Sequence, residues 1–184
     1  YRRPGQRWTF FEIDPLVERI ARDRRYFHYL EDCAPDAEVV LGDARRSLQE
    51  VASGPYDLMI HDAFSSDAIP VHLLTREAFA LYLDKLAPGG LIALHISNRN
   101  LDLAPVVATL LADAGLAGRV QTQVPPLEAQ RAYRNAATWV AIARSEADLG
   151  ALADDPRWRR MPAAAAHPWT DDFSNLLGAL RWRL

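Results

Sequence analysis

The stretch FFEIDP, residues 10–15, decides how this chain is to be read. Phe10 and Phe11 run strand-like into an acidic residue, Glu12. Asp14 and Pro15 then read as a helix start, because an aspartate cap accepts an orphan backbone N–H and a proline at the first helical position has its φ already set. A carboxylate at the carboxyl end of a strand in an α/β sheet can accept both hydroxyls of a ribose, so the stretch points to a nucleoside-binding α/β domain. In such folds the acid lies about 20 residues beyond a Gly-rich turn, whereas eleven residues precede Glu12. The expectation is a fold whose first strand and Gly-rich turn are missing from the chain.

Outward from this stretch, short strand-like runs alternate with longer helical ones, the pattern of βαβ units and a mostly parallel sheet. Strands are predicted at about 7–12, 38–42, 56–62, 90–97, 119–124 and 136–144. Leu16, Val17 and Ile20 fall on one face of the first helix. Asp43 is placed to cap a second helix carrying Leu48 and Val51. Thr75, Ala78, Phe79, Tyr82, Leu83 and Leu86 make a third, stopped by Pro88-Gly89-Gly90, and a fourth runs from about Leu103 to Ala114 with Gly115 as its stop. The tail from 146 to 184 holds Trp158, Trp169 and Trp182. Side chains that large are costly to leave in water, so the tail is expected to fold back on a core at about 7–145, the whole forming a single domain.

Composition narrows the function classes. With 184 residues, 49% hydrophobic and 24% charged, the chain is long enough for a packed core. Its 21 basic and 24 acidic residues leave a charge of -3, which argues against nucleic acid as the main ligand. Cys33 is the only cysteine, so neither an internal disulfide nor a Cys-based metal site can be built, and the thiol is expected to be buried or half-buried. No His/Asp/Glu set has metal-ligand spacing. No apolar run approaches the ~18 residues of a membrane span and no signal-peptide core is present, so the expected location is cytoplasmic.

Acidic residues recur at the carboxyl ends of the first three predicted strands: Glu12, Asp43 and Asp62. Each alone reads as a helix cap or a solvated strand end. Together they are expected to line one crevice, the place where open α/β sheets bind ligands. Glu12 suits ribose hydroxyls and Asp43 an exocyclic amine such as adenine N6. Asp62 and Asp67, with Ser65 between them, suit a cationic amine, one carboxylate holding the ammonium while the other receives its proton; the alternative is a polar turn. His61 and Asp62 should point to opposite faces by alternation. His61 and His95 are expected to be structural, and Asn98 to stand at the crevice rim.

EIDP at 12–15, GDAR at 42–45, YDLMIHDAFSSD at 56–67, LAPGGLIALHIS at 86–97 and WTDDFSNLL at 169–177 together resemble the spermidine synthase (polyamine aminopropyltransferase) family, especially a branch often attached to membrane-spanning segments. The resemblance implies a Rossmann-like fold of the class I methyltransferase type. It implies decarboxylated S-adenosylmethionine, or S-adenosylmethionine, as donor, with no metal and with a small amine as acceptor. Glu12 would be the ribose ligand with Asp14 beside it, Asp43 and Ala44 the adenine contacts, and Asp62 the acid that deprotonates the amine. The family's compact Asp-Ser-Ser-Asp is interrupted here by Ala63 and Phe64, so Asp171 or Asp172 is a candidate second clamp for the ammonium. The resemblance also implies that a membrane-spanning segment could precede this one in a longer protein, and a sheet edge left free by a missing strand makes homodimerisation an expectation. Two other readings stand beside it: an S-adenosylmethionine-dependent methyltransferase on the same fold, and a non-catalytic domain that senses adenosyl ligands or polyamines beside a membrane transporter.

Overall fold

A computed structural model describes residues 2–63, 70–128, 135–164 and 167–181. The chain divides into two compact units, Tyr1–Ala52 and Ser53–Leu184. In the first, strand β1 (Thr9–Glu12) pairs in parallel with β2 (Glu38–Leu41), Glu12 opposite Leu41. Helix α1 (Pro15–Arg22) follows β1 and begins as its sequence dictates: the Asp14 side chain accepts from the Leu16 N–H, and Pro15 opens the first turn. Helix α3 (Ala44–Gln49) follows β2 and is capped in the same way by Asp43, which accepts from Arg46 N. Between them lies a short helix, α2 (Tyr29–Cys33), which the periodicity does not predict; it buries Leu30 alone. Cys33 is therefore exposed rather than buried, because a helix this short covers only one side chain. Leu16, Val17 and Ile20 share α1 as expected, and all three remain exposed.

The second unit carries a mixed sheet in the order β3-β4-β6-β5-β7. Strands β3 (Tyr56–His61) and β4 (Leu86–His95) are parallel, and β6 (Ala137–Ala143) runs antiparallel to both β4 and β5 (Ala117–Gln123). A two-residue strand, β7 (Arg159–Arg160), closes the edge beside β5. Helix α4 (Arg76–Lys85), capped by Thr75 through Ala78 N, buries Ala78, Phe79 and Tyr82. Helix α5 (Ala104–Ala114) buries an unbroken run from Val106 to Leu111. Pro88-Gly89-Gly90 does not follow the helix as a loop. It lies within β4, where the register with β3 slips between Tyr56–Leu86 and Leu58–Leu91. A bulge takes up the extra residues there, and Gly89, at φ 73, adopts a backbone closed to most side chains.

Two local devices close the packing. Gly115, at φ 67, ends α5 in the left-handed conformation, and Gly118 lets α5 approach the sheet so closely that a Cβ there would meet Leu111 at 2.4 Å. The orphan carbonyls at the end of α4 are taken by Arg144, whose Nη2 donates to Leu83 O and Leu86 O. The buried guanidinium of Arg119 is neutralised by Glu146 through paired bonds of 3.0 and 2.6 Å. The tail folds back onto this unit: Trp169 is 2% exposed, its carbonyl accepts from Arg76 N, and Thr75 Oγ1 donates to Asp171. Trp158 packs beside Ala141, Ala143 and Leu149, while Trp182 lies outside the described residues. Among the described residues no helix is long and apolar enough to cross a membrane.

His61 packs on Tyr82, ring centroids 4.2 Å apart, and burial pushes its imidazole down to about 4. Unfolded, the same group titrates near 6.5. Between these values the unfolded chain binds a proton that the folded chain does not, so stability falls as pH drops through the window. Urea unfolding of the second unit at pH 7 and pH 4 should show a loss of up to about 3 kcal/mol from this group. His61→Phe, which keeps a ring against Tyr82, should flatten that loss; equal losses in the two proteins would show that His61 does not carry it.

Candidate functional site

In the first unit, the sequence places two acids at one sheet edge. Gly42 N donates to Glu12 O at 2.9 Å, which holds the turn after β2 against the end of β1. Glu12 and Asp43 thus stand at neighbouring strand ends, followed by the first turns of α1 and α3. Glu12 Oε1 accepts from Asp14 N at 2.8 Å, and Asp14 Oδ1 from Leu16 N at 2.8 Å, so each carboxylate is oriented by a backbone N–H. Asp43 Oδ1 accepts from Arg46 N at 2.9 Å, and Ala44 is the first residue of α3. Both strand-end acids are half-buried rather than extended into solvent.

In the second unit, Asp62 follows β3 directly. His61 is in register with Leu94, so Asp62 comes level with His95 on the adjacent strand. The alternation holds: His61 turns to Tyr82 of α4, and Asp62 turns to His95. Asp62 Oδ1 lies 2.6 Å from His95 Nδ1, and His95 Nε2 lies 2.5 Å from Ser97 Oγ. Ser97 Oγ accepts from the backbone N–H of Thr138 at 2.8 Å, and the His95 ring stacks on Trp139 at 4.7 Å. Sequence periodicity assigned His95 a structural place and passed over Ser97. The signal that would have found both is strand register, since His95 and Ser97 share one face of a strand whose neighbour ends in Asp62.

The carboxylate gives this chain its direction. A carboxylate only accepts, so a neutral His95 carries its proton on Nδ1 and donates it to Asp62, leaving Nε2 to accept from Ser97 Oγ, which in turn accepts from Thr138 N. Asp62 is 58% exposed at its side chain while His95 is 21% exposed, so the acid faces solvent and the base stands behind it. Nitrogen NMR of the imidazole should show the Nδ1–H tautomer for His95, and Ser97→Ala should shift it toward a mixture; an Nε2–H tautomer in the unaltered chain would overturn this assignment.

The other predicted residues are placed differently. Ser65 and Asp67 lie outside the described residues. Asn98 is 9% exposed, and its Oδ1 accepts from Asn100 N and Leu101 N, which pins the turn before α5. Asp171 accepts from Thr75 Oγ1, and its N–H donates to Glu77 at 3.0 Å; Asp172 is exposed. Among the described residues no group of His, Cys, Asp and Glu is arranged to hold a metal ion.

No protein-family model matches the chain. A segment of 76 residues, 40% of the chain, is 37% identical to a polyamine aminopropyltransferase of Vibrio vulnificus, of which it covers 24%. A segment of 94 residues, 49% of the chain, is 34% identical to an N-terminal histidine N-methyltransferase of Emericella nidulans, of which it covers 16%. The chain thus matches about a quarter or less of the length of these curated relatives. Among solved structures, a probable spermidine synthase from Corynebacterium glutamicum superposes with a TM-score of 0.63 at 20% identity, covering 94% of this chain and 66% of that one. Parallel strands ending in acids, helices capped at the strand ends and this superposition agree: the chain has a spermidine synthase-like α/β fold of the Rossmann-like, methyltransferase type.

Proposed function

We propose that the chain is an aminopropyltransferase domain, which moves an aminopropyl group from decarboxylated S-adenosylmethionine to a small di- or polyamine. The observation that carries the reading is the Asp62–His95–Ser97 chain, which holds a solvent-facing acid at the end of β3. The likeness to a polyamine aminopropyltransferase supports the choice of reaction. Glu12, whose Oε1 is engaged by Asp14 N, offers its remaining acceptor capacity to the ribose hydroxyls. Asp43 and Ala44 take the adenine edge at the start of α3.

At neutral pH the amine arrives as an ammonium and has no lone pair to attack with. Asp62 accepts one of its protons, with His95 holding the carboxylate in place. The freed amine attacks the carbon beside the sulfonium. A C–N bond forms, the C–S bond breaks, methylthioadenosine leaves with the electron pair, and the product is a secondary ammonium. The sulfonium is already an activated leaving group, so proton removal and alignment are what the protein has to supply. Asp67 and Ser65, together with Asn98, Asp171 and Asp172, are the proposed contacts for the remainder of the amine.

A second reading has its own support in the likeness to an N-methyltransferase. There the same acid would free a nitrogen for attack on the methyl of S-adenosylmethionine. Mass spectrometry of the amine after incubation with each donor separates the two, an added aminopropyl against an added methyl. Asp62→Asn is expected to slow turnover by about 10²–10⁴-fold while calorimetry shows adenosyl binding unchanged. Glu12→Gln is expected to weaken adenosyl binding by about tenfold or more. Absence of binding to methylthioadenosine and to either donor by the unaltered chain would overturn both readings.

A further inference from the structure

A second concave site lies on the α5 side of the sheet, at the far edge of the second unit. It is a cavity of about 520 Å³ floored by apolar side chains such as Ile96, Leu103 and Val120, with Arg159 and Arg181 also lining it. That volume falls within the range of about 300–1,000 Å³ usual for small-molecule sites. Arg159, on the cavity face of β7, and Arg181 come from separate places, the tail that carries Arg181 being held by Arg181 N donating to Asn100 O and by the bridge of Leu101 to Leu180.

Arg22, Arg24, Arg25, Arg76, Arg119 and Arg157 each rest against a carboxylate, at 2.5–2.9 Å. The guanidinium groups of Arg159 and Arg181 have no hydrogen-bonded or ion-paired partner among the described residues, and Arg159, opposite Val120, faces the cavity, whereas Arg160, opposite Arg119, turns to the other face of the sheet. Asp102 is the one acid in the lining, and its Oδ1 accepts from Ala104 N. Glu146, whose carboxyl Arg160 helps hold below the usual range, is already committed to Arg119 on both oxygens. Arg159 and Arg181 against one acid is an excess of positive charge in a chain whose overall charge is -3.

The polar groups between the arginines and the apolar floor match an anion as well. Thr122 Oγ1 and Thr138 Oγ1 stand 3.1 Å apart. Two hydroxyls that share one hydrogen bond retain one proton, which is free to donate into the cavity. Arginine forks suit the oxygens of phosphate in pairs.

We infer that this cavity binds a small phosphorylated metabolite, its phosphate held by Arg159 and Arg181 and its organic part resting on Ile96, Leu103 and Val120. The Asp62–His95 pair lies on the opposite face of β4, so the two sites are separable by mutation. Ser97, at the strand end, borders both.

Isothermal titration of the full chain with phenyl phosphate and with inorganic phosphate tests the inference. Phenyl phosphate is expected to bind with 1:1 stoichiometry and sub-millimolar Kd, and more tightly than inorganic phosphate, because only the former reaches the apolar floor. The double variant Arg159→Gln/Arg181→Gln should weaken phenyl phosphate by about tenfold or more. Arg157→Gln, outside the cavity, should leave it unchanged, with thermal melts reporting that each protein is folded. Arg181→Gln alone, in the tail, should weaken binding severalfold if the double variant does not fold. No saturable binding, equal binding of the two probes, undiminished binding by a folded cavity variant, or equal weakening by Arg157→Gln would each overturn the inference.

Discussion

The parallel pairing of β3 with β4 is the constraint from which the second unit takes its chemistry. One register, His61 opposite Leu94, decides two things together. It turns His61 into the core against Tyr82, where burial keeps the imidazole neutral, and it brings Asp62 level with His95 on the other face. A slip of one residue would exchange these faces, exposing the aromatic contact and burying a carboxylate with no base beside it. The bulge at Pro88-Gly89-Gly90 matters for the same reason: it absorbs the mismatch at the start of β4, so the register at the strand ends stays as the acid requires.

Burial of charge follows one rule across the molecule. Arg119 is almost wholly covered, and a guanidinium taken out of water needs a partner with matching geometry, which Glu146 supplies on both oxygens. Arg144 is spent on helix carbonyls and Thr75 on both a helix N–H and a tail carboxylate. Polar side chains in this unit therefore do mechanical work: they tie the tail, helix ends and sheet edge to one another.

A hydrogen-bonded chain that ends at a carboxylate has a built-in direction, because the carboxylate only accepts. Thr138 N, Ser97, His95 and Asp62 come from three strands, with a fixed donor at one end and an acceptor-only carboxylate at the other, and a neutral imidazole between them donates to the carboxylate. Trp139, stacked on His95, restricts rotation of the ring. The acid thus remains exposed to an incoming cation while its geometry is set from behind by groups that do not contact solvent to the same extent.

What could be read from the residues was local. The caps Asp14 and Asp43 were legible because a cap needs only a side-chain oxygen two or three residues before the N–H it accepts from, whereas Thr75 reads as a member of the helix that it in fact caps. The stop at Gly115 was legible because only glycine takes φ 67 without strain, and strands and helices showed in their periods of apolar residues. Misreadings arose where contact rather than period decides: Pro88-Gly89-Gly90 reads as a breaker but is carried inside a strand by pairing with β3, and Cys33 reads as buried but sits on a helix too short to cover it. By itself, then, the sequence determined the element order and the acids at the strand ends, since both depend on neighbours along the chain. Only the tertiary structure decided that Asp62 has His95 and Ser97 behind it and that Arg159 and Arg181 meet at one cavity, because those distances are set by strand register and by the return of the tail.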